Sequence, residues 1–394
     1  MRVLSLTTLF PNNMQPNLGV FVRNRLEALS AFTEVQVVAP VPWVPSCCPG
    51  NRARLYRLIP AKECIGGLET YHPRYLVTPK VLRRLYGMMY FRSIVGFIRK
   101  LHRENPFDII DVHWAYPDGY AGVALANLLG VPVSVSLRGS DIHTYTKKAA
   151  IRKLIVHTLQ QADLIIPVAQ SMVSLVENLG VSPERVLVVP NGVNGSIFTP
   201  MDRAEARAKV GLRTGSTVVL SVGRLEKPKR FDLLLRACTK LRQGIKADLQ
   251  LVIVGDGSLG EELKTLVIEH GMTENVLFVG EVENKDLAPW YCAADLFCLA
   301  SDNEGCPNVL LEAAACGTPI VASNVGGVPE LVSRENGLVV PENTIESWSR
   351  CILAAMDARW DPSKISSTVL HRTWENIGQQ VFEGFCACRC APRR

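Results

Sequence analysis

Short apolar runs alternate with amphipathic stretches through nearly the whole chain. Residues 3–9, 35–39, 107–112, 133–137, 164–168 and 186–189 are compact runs rich in β-branched residues and predict strands. Between them, 20–31, 118–129, 148–160 and 171–179 predict helices; in 20–31 the apolar face is Phe21, Val22, Leu26 and Leu29. The strand runs are too apolar to be half exposed, so they predict a parallel sheet with helices on both faces. A second series repeats the scheme, with strands at 218–222, 249–254, 276–279, 296–299, 320–322 and 338–340 and helices at 231–243, 259–270, 284–293, 307–316 and 344–356. Residues 190–215, with two Asn-Gly pairs, two prolines and a charged stretch, predict the connection between two domains.

Composition agrees and adds little. A chain of 394 residues, 47% hydrophobic and 20% charged, is long enough for two globular cores. The net charge of +6 suits a phosphorylated ligand or an anionic surface without establishing either. No run is long and apolar enough to predict a spanning helix, and MRVLSLTTLF resembles a first strand better than a signal peptide, so the expected location is cytoplasmic. From Arg74 to Arg103, basic and aromatic residues interleave at helical spacing (Lys80, Arg83, Arg84, Arg92, Arg99 and Lys100 among Tyr86, Tyr90, Phe91 and Phe97). This segment is either a core helix with a solvated basic face or a contact with an anionic membrane at its inner face. No nucleic-acid motif accompanies it. Of twelve cysteines, Cys238, Cys292, Cys298 and Cys316 read as core thiols; Cys47, Cys48, Cys386, Cys388 and Cys390 lack the paired spacing of a zinc site, so no metal is expected.

The stretch from Ser301 to Glu330 concentrates the candidate chemistry. Pro307 suits a helix start, and Gly317 and Pro319 end the helix. Between them every residue but Glu312 is apolar, and a buried carboxylate costs several kcal/mol, on the order of the ionic desolvation penalties, unless it finds donors. Glu304 lies in the loop feeding the same helix, so both carboxylates can address one ligand across the helix start. The bland alternative is that Glu312 caps a neighbouring group and Glu304 is solvated.

Other polar groups gather at strand ends, where open α/β sheets bind ligands. In the first series these are His113, Asp118 and Gly119, then Arg138, Gly139, Ser140 and Asp141. In the second they are Arg224, Lys227 and Lys229, then Gly255, Asp256 and Gly257, then Gly326 and Gly327. Arg224 and Lys229 are fixed cations suited to a diphosphate. The loop FPNNMQPNLG ends at Gly19 and contains no GxGxxG, which counts against a nicotinamide cofactor.

These residues carry a resemblance. E-x7-E from Glu304 to Glu312, VGRL-x3-K at 222–229, PNGVN at 190–194, VGDG at 254–257 and GGVPELV at 326–332 make the chain similar to family-4 retaining glycosyltransferases, from Met1 to about Phe385. NLGVFVRN at 17–24, HWAYPDG at 113–119 and RGSDI at 138–142 resemble the branch that builds bacterial surface polysaccharides, such as teichuronic acid enzymes. The resemblance implies the α/β GT-B fold: two Rossmann-like, doubly wound parallel-sheet domains facing a central cleft. Residues 1–190 would form the acceptor-side domain, 191–363 the donor-binding domain, and a helix at 364–387 would cross back to the first. Beyond it, CRCAPRR reads as a mobile tail.

By the same resemblance, the chain moves a sugar from a nucleotide donor, UDP favoured, to a lipid-linked or polysaccharide acceptor, with no metal and no cofactor. Arg224 and Lys229 would hold the diphosphate, Glu312 the ribose and Glu304 the transferred sugar. Gly19, Gly257, Gly305, Asn308 and Val309 would line the donor site, and His113 would face sugar and acceptor. Asp118, Arg138 and Asp141 would lie on the acceptor side, Arg138 standing where the family often has histidine and Leu18 where it often has glycine. Two other readings share the fold, a sugar-nucleotide epimerase and a non-catalytic glycan-assembly subunit.

Overall fold

A computed structural model describes residues 1–78, 81–244 and 248–390. The chain divides into two compact units, Met1–Asn191 with Trp374–Arg394, and Gly192–Thr373.

The first unit holds a seven-stranded sheet in the order β4-β5-β2-β1-β7-β8-β9: β1 (Arg2–Leu6), β2 (Glu34–Val38), β4 (Lys62–Ile65), β5 (Leu68–Tyr71), β7 (Ile109–His113), β8 (Val133–Leu137) and β9 (Leu164–Pro167). β3 (Val41–Pro42) and β6 (Arg74–Tyr75) pair separately. The sheet is parallel except that β4 runs antiparallel to β5, which corrects the expectation of a wholly parallel sheet. Residues 186–189 form no strand of their own: Val186 makes an isolated bridge to Ile165 beside β9.

The helix Val20–Ser30 packs Val22, Leu26 and Leu29 into this core, together with Trp374, Ile377, Val381 and Phe385 of the helix Trp374–Cys390. The expected returning helix is therefore two helices, because Pro362–Ser367 belongs to the second unit. Of the expected tail, residues 391–394 lie outside the described residues, whereas Cys388, Arg389 and Cys390 end the helix. The helix Tyr86–Glu104 buries Tyr90, Ile94, Ile98 and Leu101 and exposes Arg92, Arg99, Lys100 and Arg103. Its apolar stripe is core, and its basic face is solvated; Lys80 lies outside the described residues.

The second unit holds a six-stranded parallel sheet in the order β12-β11-β10-β13-β14-β15: β10 (Thr217–Val222), β11 (Leu249–Val254), β12 (Val276–Gly280), β13 (Leu296–Leu299), β14 (Ile320–Ser323) and β15 (Gly337–Val340). Its core gathers Leu234, Leu235, Leu251, Ile253 and the fully buried Trp348. Among the described residues, no helix is long and apolar enough to cross a membrane, and all twelve cysteines are free thiols.

Candidate active site

In the second unit the chain proceeds from β10 through β11 to β12, then returns to the other side of β10 at β13. The carboxyl ends of β10 and β13 therefore flank the switch point where open α/β sheets bind ligands. Two loops rise there, 223–230 and 300–307, and they are tied together. Asp302 N donates to the Pro228 carbonyl at 2.8 Å, and Lys229 Nζ lies 2.5 Å from Glu304 Oε1. Ser301 Oγ donates to the same Oε1 at 2.6 Å, and Asn343 Nδ2 donates to the Ser301 carbonyl at 3.2 Å. Gly326 closes over this loop, since a Cβ there would sit 1.8 Å from the Glu304 carbonyl oxygen. Gly257 is equally constrained, with its Cβ position 2.5 Å from the Leu225 carbonyl. The VGDG and GGVPE motifs thus serve backbone approach.

The helix that follows runs Asn308–Ala315, one residue shorter at each end than expected, with Pro307 at its N-cap offering no side-chain acceptor. Asn308 and Val309 form its first turn, after the buried Gly305; backbone N–H groups at such a start favour an anion. Glu312 is buried, its Oε1 accepting from Asn284 Nδ2 at 2.9 Å and its Oε2 from the Tyr291 hydroxyl at 2.8 Å. Burial raises its pKa, and the two donors pull it partly back. A carboxylate has about four acceptor directions, so these two bonds leave acceptor capacity on Glu312. Arg224, on the same loop as Lys229, is 78% exposed at its side chain and pairs with Glu226 Oε1 at 2.5 Å.

Sequence patterning missed Asn284, Tyr291, Ser301, Asn343 and the pair formed by Arg230 Nη1 and Asp302 Oδ1 at 3.0 Å. Arg230 adopts a left-handed backbone, φ 49 and ψ 41, and also bonds Asp232 Oδ1 at 3.2 Å. Only the unusual density of charge in KPKRFD signalled it.

In the first unit β1 lies between β2 and β7, so the switch point falls at the carboxyl ends of β1 and β7. His113 ends β7 and is fully buried. Its Nδ1 lies 2.6 Å from Arg138 Nη2, and its Nε2 lies 3.0 Å from Asp111 Oδ2. Burial, with help from Arg138 and Arg25 and against the pull of Asp111, lowers the His113 pKa to about 4. The ring is therefore neutral near pH 7, and because a guanidinium can only donate, Nδ1 accepts and Nε2 carries the proton. Asp111 is fully buried beside Arg25, whose Nη2 is 4.0 Å away, and accepts from Ser134 Oγ at 2.7 Å. Burial alone would raise Asp111, but the Arg25 guanidinium, with the His113 N–H and the Ser134 hydroxyl as donors, outweighs it and holds it ionised.

Arg138 also donates to Asn191 Oδ1 at 3.1 Å and lies over the ring of Phe21 at 5.1 Å; Phe21 is half-buried, packing against the core of the first unit while its ring supports this loop. Asp118 and Asp141 are fully buried loop organisers. Asp118 accepts from Thr8 N at 2.7 Å and from Thr8 Oγ1; Asp141 accepts from the backbone N–H groups of Arg138, Gly139, Ile142 and Ala115. Gly19, left-handed at φ 66, caps the helix Val20–Ser30, and a Cβ there would lie 2.3 Å from the Leu9 carbonyl oxygen. Arg25 and Asp111 were missed, although a charge within an apolar helix face or strand is itself a signal.

The structure thus collects Lys229, Glu304, Gly305, Asn308 and Val309 in the second unit, with Gly257 on the neighbouring loop and Glu312 on the same helix. It places His113, Arg138, Asp118, Asp141 and Gly19 in the first.

Comparison with known proteins follows the same division. Residues 18–197 match the family described as Glycosyltransferase Family 4, and residues 202–369 match Glycosyl transferases group 1. The chain is 26% identical over 360 residues, 89% of its length and 88% of the relative's, to TuaC of Bacillus subtilis strain 168, which carries the assignment of a teichuronic acid biosynthesis glycosyltransferase. It is 31% identical over 289 residues, 67% of either chain, to a D-inositol 3-phosphate glycosyltransferase of Pseudarthrobacter chlorophenolicus. Among solved structures it resembles HepE of Anabaena in complex with UDP, with a TM-score of 0.74, 19% identity, and coverage of 98% of this chain and 100% of that one.

Proposed function

The chain belongs to the family-4 glycosyltransferases and has the GT-B fold, and from that premise we propose that it transfers a sugar, with retention, from a UDP-sugar to a lipid-linked or polysaccharide acceptor in cell-wall or surface glycan synthesis. The observation that carries the reading is the Lys229 and Glu304 pair at the switch point of the second unit. The likeness to TuaC supports the class of acceptor, and the UDP bound to HepE supports the base.

In this reading the bond between the sugar's anomeric carbon and the β-phosphate oxygen breaks as the acceptor hydroxyl attacks from the same face. The hydroxyl's proton passes to the departing phosphate oxygen. Negative charge grows on the diphosphate, where Lys229, Arg224 and the start of the helix Asn308–Ala315 stabilise it without a metal. Glu304 orients the sugar hydroxyls, and Glu312 receives the ribose. Arg138, held by His113, suits an anionic acceptor such as a lipid phosphate.

We also propose contact with an anionic membrane through the first unit. The surface differs from the helix stripe expected for this role: Trp43 and Leu76 are exposed directly after the paired strands β3 and β6, and Leu58, Val81 and Leu82 are exposed in the same part of the sequence as the exposed Arg84 and Arg92.

The experiment is incubation with a set of nucleotide sugars and lipid-phosphate or glycan acceptors, followed by proton NMR of the anomeric region. Release of UDP with a product of unchanged anomeric configuration is expected. An inverted product contradicts retention, and an epimerised donor without UDP release contradicts transfer.

A further inference from the structure

Trp114 has a backbone that its residue type disfavours. At φ 107 and ψ 124 it occupies a positive-φ conformation that a bulky side chain rarely adopts and that the absence of a Cβ relieves. The conformation is enforced from several directions. Trp114 N donates to the Ser136 carbonyl of β8 at 3.0 Å, and the Trp114 carbonyl accepts from Gly119 N at 2.9 Å. The next amide, Ala115 N, donates to Oδ2 of the fully buried Asp141 at 3.2 Å. Gly119 leaves room for this, since a Cβ there would come within 3.1 Å of the Trp114 carbonyl oxygen.

Glycine at 114 would keep each of these bonds without the steric conflict. The backbone therefore does not account for tryptophan, and the indole must. It is only partly buried, follows directly on His113 at the carboxyl end of β7, and makes a T-shaped pair with Tyr145, centroids 6.0 Å apart at 86°. The Trp114 backbone is tied to β8 through Ser136 and, by way of Ala115 N and Asp141, to the loop that carries Arg138, at the sheet end where an open sheet takes its ligand. Strain held in place by surrounding hydrogen bonds is characteristic of ligand sites.

We infer that Trp114, backed by Tyr145, is a stacking platform for a pyranose ring of the acceptor glycan. The axial C–H groups of a pyranose carry partial positive charge and form an apolar face that matches the negative face of an indole. The ring's hydroxyls remain at its rim, within the reach of polar groups on the 138–141 loop. The inference rests on the glycosyltransferase reading and adds the residue that meets the acceptor sugar.

The test is saturation-transfer NMR on the full chain with three sugars supplied singly: methyl α-D-glucopyranoside, methyl α-D-mannopyranoside and methyl N-acetyl-β-D-glucosaminide. Saturation of protein aromatic protons is expected to reach the C–H protons of at least one sugar in the wild type and in Trp114→Phe. In Trp114→Gly and Trp114→Leu that signal should fall roughly tenfold, the ratio corresponding to one aromatic contact. Trp114→Gly should melt no lower than the wild type. Should that variant fail to fold, Trp114→Leu, which keeps apolar bulk without a π face, decides alone. Retained signal in Trp114→Leu, or no signal from any sugar with the wild type, overturns the platform. UDP titrated into the same samples reports on the second unit separately, so a failure of the glycosyltransferase reading is distinguishable.

Discussion

Lys229 Nζ and Glu304 Oε1 lie 2.5 Å apart, joining the loops after β10 and β13 into one paired charge. The cation proposed for a diphosphate and the carboxylate proposed for a sugar therefore neutralise each other, and on the proposed reading a bound donor competes with Glu304 for Lys229. The pair is partly exposed, at 29% and 10%, so its worth is on the order of 1 kcal/mol after solvent screening. Glu304→Gln frees Lys229 and should tighten UDP binding by roughly fivefold while lowering sugar transfer about 100-fold or more. Calorimetry and a transfer assay check both halves; weaker UDP binding in this variant contradicts the account.

His113 and Asp118 are expected to impose opposite pH dependences on stability. The His113 pKa is lowered to about 4 from 6.5, so its contribution is present above pH 6.5 and lost as pH falls toward 4. Burial raises the Asp118 pKa from 3.8 to about 7 despite its bonds to Thr8, so its contribution is present at acid pH and lost as pH rises through 7. Between about pH 4 and 6.5 the two slopes largely cancel. Asp118→Asn should reveal a steady loss of stability on acidification, and His113→Gln a gain. Denaturant melts at several pH values read this directly, and parallel curves for the wild type and both variants contradict it.

Arg230 poses a trade between backbone and side chain. A left-handed conformation costs a non-glycine residue roughly 1–2 kcal/mol. Its pairs with Asp232 and Asp302, all three side chains between 29% and 48% exposed, return about 0.2–1 kcal/mol each. Arg230→Gly should therefore leave the melting temperature unchanged or raised, yet weaken UDP binding several-fold by untying the loops. A lower melting temperature with unchanged UDP affinity would assign Arg230 to stability alone.

Membrane contact should depend on both charge and apolar surface. Flotation with liposomes containing anionic lipid is expected to carry the chain upward, less so at high salt, and Trp43→Ser with Leu82→Ser should reduce it severalfold. Retention that ignores lipid charge removes the electrostatic half of the proposal.

Legibility in the sequence followed burial. The central strands of the second unit were readable to within a residue or so because they are covered on both faces, as β10 and β11 illustrate, and the half-buried β12 and β15 were marked by apolar runs of their own. Residues 41–75 yielded no elements: β3 and β6 are two residues each, and β4 is an edge strand with alternate residues exposed, so no apolar run marks them. Glu312 stood out as a charge in an apolar helix, and its donors did not, since Asn284 and Tyr291 reach it from another element. Asp118 and Asp141 were rightly noticed at strand ends, but their backbone partners depend on loop paths that spacing alone does not encode. Arg25 and Asp111 were passed over because each sits in an otherwise regular pattern, and their pairing is visible only across the sheet.

The most direct test of the central claim is calorimetric titration of UDP into the wild type and into Lys229→Ala. The account predicts a single saturable site in the wild type, weakened at least about tenfold in Lys229→Ala by loss of the cation that meets the diphosphate. No saturable binding of UDP to the wild type, or equal affinity in the two proteins, would contradict a donor site at the ends of β10 and β13.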